Sequence, residues 1–172
     1  YGRIDSMKNM TKLKCQTLGV DPGLSGGMVL INEKKEILSK TVFPRTNGVL
    51  NCNAISKWLE GKCIDHVFLE HVHALPLVGA GSSFKFGLVF GQIRAILSLS
   101  GLGYTLVSPR RWQTIIGANL KHLKPKERAL LTAQELYEGC DLRKSPRSKV
   151  WHDGLVDAAL IAYYGLKNIT DL

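Results

Sequence analysis

Four acidic residues in this sequence stand among apolar neighbours. Asp21 closes the run Thr17-Leu18-Gly19-Val20, and Glu70 closes Val67-Phe68-Leu69. Asp153 and Asp157 interrupt the largely apolar stretch 151–164. An unpartnered carboxylate in apolar surroundings is destabilising by several kcal/mol or gives up its charge. Convergence on a divalent cation relieves that penalty. An all-oxygen donor set with no Cys/His cluster selects Mg²⁺ or Mn²⁺ over zinc. Two such ions about 3.5–4 Å apart can activate a water and stabilise the leaving oxygen in phosphodiester cleavage. A lone strand-end Asp is more often a turn cap than a ligand, so the signal lies in the set of four.

The elements that must position these acids follow from the hydrophobic pattern. Strands are predicted over 14–20, 28–32 and 37–43, with tight turns between them, which makes an antiparallel meander. A short helix over 53–60 precedes a buried strand over 66–70, parallel to the first. Asp21 and Glu70 then end neighbouring parallel strands, at the edge where open α/β sheets form ligand sites. A long helix over 82–100 carries Phe86, Val89, Phe90, Ile93, Ile96 and Leu97 at helical spacing, and Gly87 and Gly91 one turn apart. A strand over 104–107, a helix over 109–116 with Ser108 as its cap, a helix over 125–137 and a last helix over 151–166 complete the chain. Asp153 and Asp157 are four apart and share one face of that last helix. Like charges so placed destabilise a helix by roughly 0.2–0.5 kcal/mol, so a counter-charge is expected, with Lys149 one available source. The order predicts an α/β fold: a mixed five-stranded sheet, an antiparallel meander of three plus two parallel strands, flanked by helices.

The chain has 172 residues, 45% of them hydrophobic, which suits one domain with one core. We place that domain at 13–168, after an N-terminal segment 1–12 that reads as a tag or disordered. Lysine and arginine number 23 against 14 acids, a net charge of +9 that points to a polyanionic partner. The excess is local: 108–128 carries Arg110, Arg111, Lys121, Lys124, Lys126 and Arg128 against Glu127 alone. The segment 143–149 adds Arg143, Lys144, Arg147 and Lys149 with no acid. No apolar run reaches the roughly 18 residues of a membrane span, and the first residues lack the apolar core of a signal peptide. The four cysteines form no metal-type pair and suit reduced thiols in a cytoplasmic protein. A metal-dependent nuclease unites the acids with the basic surface.

Several segments together resemble the RuvC-like Holliday-junction resolvases of the RNase H-like superfamily. They are Leu18-Gly19-Val20-Asp21-Pro22-Gly23, Phe68-Leu69-Glu70, Ser83-Phe84-Lys85-Phe86-Gly87 with Gly91, Gln113-Thr114-Ile115-Ile116-Gly117, Lys124-Pro125-Lys126, and His152-Asp153-Gly154-Leu155-Val156-Asp157-Ala158. Each is weak alone, and the ordered set is specific. Its tail is more similar to the phage and chloroplast branch than to the best-known bacterial enzymes. The resemblance implies an RNase H-like nuclease domain in which Asp21, Glu70, Asp153 and Asp157 bind the metal. Some relatives carry histidine at the position of Asp153. Lys126 matches a lysine that approaches the scissile phosphate, where it offsets charge. The implied activity is a crossover junction endodeoxyribonuclease that makes paired symmetric nicks in four-way DNA. Such a substrate matches a homodimer, with the 82–100 helix as the expected dimer surface. Lys85, Arg110, Arg111, Lys121 and Lys124 are the expected phosphate contacts.

The sequence also departs from the family. Trp112 stands where bacterial relatives often carry a basic residue; packing in the core is the first reading and stacking on a base the second. The loop His71-Val72-His73-Ala74-Leu75-Pro76 lacks a junction-wedging aromatic, and its histidines read as loop or DNA contacts. Three rivals stand beside the resolvase. One is another nuclease of the superfamily, cutting RNA–DNA hybrids or flaps. Another is a non-catalytic nucleic-acid module, which has no use for four awkward acids. The third is a sugar-kinase or actin-like ATPase suggested by Asp21-Pro22-Gly23-Leu24-Ser25-Gly26-Gly27. That fold needs two such domains, so no nucleotide cofactor is expected.

Overall fold

The computed structural model describes residues 16–71, 79–117, 120 and 122–169. β1 (Gln16–Asp21), β2 (Gly27–Asn32) and β3 (Ile37–Val42) form the expected meander, antiparallel throughout. β6 (His66–Glu70) lies parallel to β1 on its other side, and β7 (Thr105–Val107) lies parallel to β6. The five-stranded order is β3-β2-β1-β6-β7, the anticipated three plus two. The N-terminal segment 1–12 lies outside the described residues.

Side-chain alternation sorts the sheet into two faces. Leu18, Val20, Met28, Leu30, Val67 and Leu69 pack with α1 (Cys52–Leu59) and α2 (Ala80–Leu99). Val29, Ile31, Phe68 and Val107 pack with α4 (Pro125–Leu136), α5 (Asp153–Asn168) and Trp112. β2 is buried along its whole length, as a strand covered on both faces must be. α5 lies directly across β1. A Cβ at Gly19 would collide with the Ala158 carbonyl and the Ala162 nitrogen, so only glycine lets this helix lie so low on the strand. Among the described residues, no helix is long and apolar enough to cross a membrane.

The structure corrects four boundaries. Residues 44–52, which carry no element predicted from the sequence, contain a hairpin of β4 (Arg45–Thr46) and β5 (Val49–Leu50). Asn47 and Gly48 turn it with positive φ of 51° and 79°, the twist that suits a two-residue hairpin. Phe43 leaves β3 and drops into the core, its N–H bonded to the Gly26 carbonyl at 3.1 Å. The helix expected over 109–116 is α3 (Pro109–Trp112), which tightens into a 3₁₀ turn over Gln113–Ile115. Ser108 precedes it but makes no side-chain cap, so the fixed φ of Pro109 starts the helix instead. α5 starts at Asp153 rather than 151, because His152 is extended and supplies the first helical carbonyl.

The contact at Gly19 gives a direct check. Gly19→Ala should destabilise the protein by about 1–3 kcal/mol or more, as overpacking does. Gly103→Ala, with nothing within 4 Å of the added methyl, should stay within about 0.5 kcal/mol. Thermal melts followed by circular dichroism distinguish the two. Equal melting temperatures for both variants would contradict the tight β1–α5 contact.

Candidate active site

Register and alternation bring the first two acids together. Val20 pairs with Leu69, and Asp21 and Glu70 are each the next residue of their strands. Asp21 shares the side of Gly19, and Glu70 that of Phe68, so both carboxylates lie on the α5 face. Asp21 is only 9% exposed. Its Oδ1 accepts the Gly23 N–H at 2.8 Å and closes the turn after β1. Glu70 is half-buried, and its Oε1 accepts the indole Nε1–H of Trp112 at 2.8 Å. Trp112 is itself 2% exposed, so it is a core residue and closed to base stacking.

α5 delivers the second pair. Asp153 is its first residue, where a negative charge suits the helix dipole. Gly154 lets the helix start press on the turn after Asp21, since a Cβ there would strike the Ser25 carbonyl and Gly26. Asp157 follows one turn later and is half-buried. Asp153 departs from the expected apolar burial: its side chain is 63% exposed and that of Lys126 83%. The Lys126 Nζ lies 2.6 Å from Asp153 Oδ2, so Lys126 supplies the counter-charge in place of Lys149. Lys126 is the second residue of α4, a position where a cation opposes the helix dipole unless an anion is near, and Asp153 is that anion. α4 is tied to α5 by Tyr137, whose hydroxyl donates to the Ala159 carbonyl at 2.8 Å.

The acids sense one another. Burial, then the charge of Glu70, pushes Asp21 up to about 8 against the single opposing bond from Gly23. Burial, then Glu70 and Asp153, pushes Asp157 up to about 7, and Lys126 opposes it. Burial also raises Glu70, which Trp112 partly offsets. Among the described residues, no three His, Cys, Asp or Glu are gathered closely enough to hold a metal ion as they stand. The two observations describe one cluster, near enough to repel and too open to share an ion without side-chain rotation. Asp153 is turned onto Lys126, and one oxygen of Glu70 is held by Trp112. A hard divalent cation fits this set. All donors are oxygens, and the only cation paired with any of the four, among the described residues, lies at the exposed rim on Asp153.

Four of the expected phosphate contacts are described, and all four are exposed. Arg110 and Arg111 are exposed on α3, next to the Trp112 that bonds Glu70. Lys124 is exposed at the start of α4, and Lys85 is exposed on α2. Lys121 and His73 lie outside the described residues. In the 143–149 segment Arg143 is bound by Asp141, its Nε 2.9 Å from Oδ1. Lys144, Arg147 and Lys149 are exposed. His71 carries its ring 6.5 Å from that of Phe90, and its N–H bonds the Val107 carbonyl, so it belongs to the β6 terminus. His152 serves α5 through its carbonyl, and burial followed by Lys144 keeps its imidazole below the usual value.

The backbone has close parallels among solved structures. Thermus thermophilus RuvC in complex with a Holliday junction substrate superposes with a TM-score of 0.67 at 16% identity, covering 91% of this chain and 96% of that one. A second Thermus thermophilus RuvC structure gives a TM-score of 0.61 at 17% identity, with coverage of 91% and 96%. The chain has the RuvC fold. No protein-family model and no curated protein matches the sequence. The fold likeness thus covers nearly the whole chain.

The raised acids predict a pH dependence. In the metal-free protein Asp21 and Asp157 hold protons up to about 8 and about 7, whereas unfolded carboxylates release them near 3.8. Between those limits the folded state binds more protons, so stability falls as pH rises and levels off once both groups have ionised. With EDTA present, Asp21→Asn should melt above wild type at alkaline pH, and the gap should narrow toward acid. Melting curves across that range check this. A gap that stays constant with pH would mean that Asp21 is not held protonated.

Proposed function

We propose that this chain is a structure-selective DNA endonuclease that resolves four-way junctions by paired symmetric nicks. The reading rests on one observation: Asp21, Glu70, Asp153 and Asp157, with Lys126 beside them, converge at one sheet edge of a RuvC fold. One RuvC relative is bound to a Holliday junction substrate, which favours that DNA over hybrids or flaps.

In this reading Asp21, Glu70, Asp153 and Asp157 hold Mg²⁺ or Mn²⁺, two ions per site. When bound, the ions supply a water nucleophile at neutral pH and neutralise charge on the leaving oxygen. The protein's own groups do the rest. Asp21 and Glu70, fixed on the rigid sheet, set the position of the site. Lys126, on an exposed side chain, exchanges Asp153 for the scissile phosphate and offsets its charge in the transition state. Arg110, Arg111, Lys121, Lys124 and Lys85 hold the flanking backbone, which makes affinity fall with salt.

Two symmetric cuts call for two symmetric sites, and a homodimer supplies them. The surface we assign to it is the exposed side of α2. Phe84 there is 73% exposed and Leu88 48%, and Gly87 and Gly91 leave the helix open to close approach. Phe84→Glu should give a monomer by light scattering; a dimer that survives this change contradicts the assigned surface.

The deciding assay incubates the protein with Mg²⁺ and labelled four-way, flap, duplex and hybrid substrates. Paired symmetric nicks confined to the four-way junction are expected. Equal cutting of all four substrates, or of none, contradicts the reading. Asp21→Asn should abolish cutting and leave junction binding intact.

A further inference from the structure

Trp112 is a buried residue whose one polar atom serves a single acceptor. Its ring lies in the core with Phe68, Val107 and α5, and it is 2% exposed. Indole has one donor and no acceptor. That donor, Nε1–H, meets Glu70 Oε1 at 2.8 Å. An apolar ring of similar size would fill the same space, so packing alone does not call for an indole. Trp112 also ends α3, which Pro109 starts, and its N–H bonds the Ser108 carbonyl at 3.3 Å. The backbone behind the indole is therefore fixed as firmly as the ring.

Glu70 has little else to hold it. Among the described residues, Trp112 provides the only side-chain hydrogen bond recorded for its carboxylate. Asp21 and Asp157 lie close enough to repel it. Its side chain is longer and has more rotamers than those of the aspartates around it, so an orienting bond matters more here than at Asp21 or Asp157. An N–H bond to one oxygen restrains the carboxylate and leaves the other oxygen available to a cation. Partners of this kind orient metal-binding carboxylates, and losing one typically costs about 10–100-fold in metal affinity or activity.

We propose that Trp112 is a positioning residue: its indole N–H orients Glu70 for the divalent cation. The proposal rests on the reading of the four acids as a metal centre. It also explains an indole at this place, beside the exposed Arg110 and Arg111. One helical turn thus faces two ways. Its arginines look outward to the polyanion, and its tryptophan looks inward to the acids.

The test compares wild type with Trp112→Phe, which keeps an aromatic ring and removes the N–H. Mn²⁺ binding is measured by calorimetry on the protein without DNA, with thermal melts alongside. The expected result is Mn²⁺ binding weakened by about 10- to 100-fold in a protein that still melts cooperatively. Wild-type affinity in the folded variant overturns the proposal. Should Trp112→Phe not fold, the native indole reports directly. The chain has 3 tryptophans, so ¹⁵N-labelled protein gives three indole signals. Glu70→Ala should shift the signal of Trp112, identified by elimination with Trp58→Phe and Trp151→Phe. An unmoved signal overturns the proposal. Failure of the junction reading looks different: wild type then binds Mn²⁺ and cuts no four-way DNA, while the effect of Trp112→Phe on Mn²⁺ affinity persists.

Discussion

Asp21, Glu70 and Asp157 crowd one another in a partly buried space where Lys126 offsets only a small part of the cost, at Asp157. Water cannot screen Asp21, and Lys126 is engaged at the rim with Asp153. The repulsion and desolvation are large enough to hold two carboxyls protonated near neutral pH. A fold keeps such a cluster only if the surrounding elements are too rigid to let it spread. The sheet supplies that rigidity for Asp21 and Glu70, and α5 supplies it for Asp157.

That constraint accounts for features that otherwise look unrelated. Gly19 lets α5 lie low on β1, and Gly154 lets its first turn touch the loop after Asp21. Arg45 donates to the Leu24 carbonyl at 2.5 Å, so the β4–β5 hairpin braces the same loop from outside. Tyr137 ties α4 to α5 and so fixes the base from which Lys126 reaches Asp153. The cluster is thus framed by rigid backbone, while its one ion pair is exposed and free to exchange. Exposed pairs of this kind are worth about 0–1 kcal/mol, a small penalty for releasing Lys126 to another anion.

Much of this was legible in the sequence. Short continuous apolar runs ending in Asp21 and Glu70 located both acids, because a strand covered on both faces is apolar along its length. The spacing of Asp153 and Asp157 placed them on one helix face. Where long-range geometry decides, local pattern was silent. Nothing near Asp153 in sequence names Lys126 as its partner, and Lys149, at the right helical spacing, falls before the helix begins. Asp153 looked buried because its neighbours are apolar, yet the first residue of a helix faces the solvent. The indole bond of Trp112 to Glu70 spans two separate elements and left no local signal. The Asn47-Gly48 hairpin is different: that dipeptide is a turn signal, but its flanking strands, two residues each, are too short to show a strand pattern.

We propose that these four carboxylates form one metal centre. Diffraction from crystals grown with Mn²⁺, using its anomalous signal, tests it most directly. Anomalous density is expected among Asp21, Glu70 and Asp157, with Asp153 turned from Lys126 toward it. Saturating Mn²⁺ with no density at these carboxylates, and Lys126 still paired with Asp153, would contradict it.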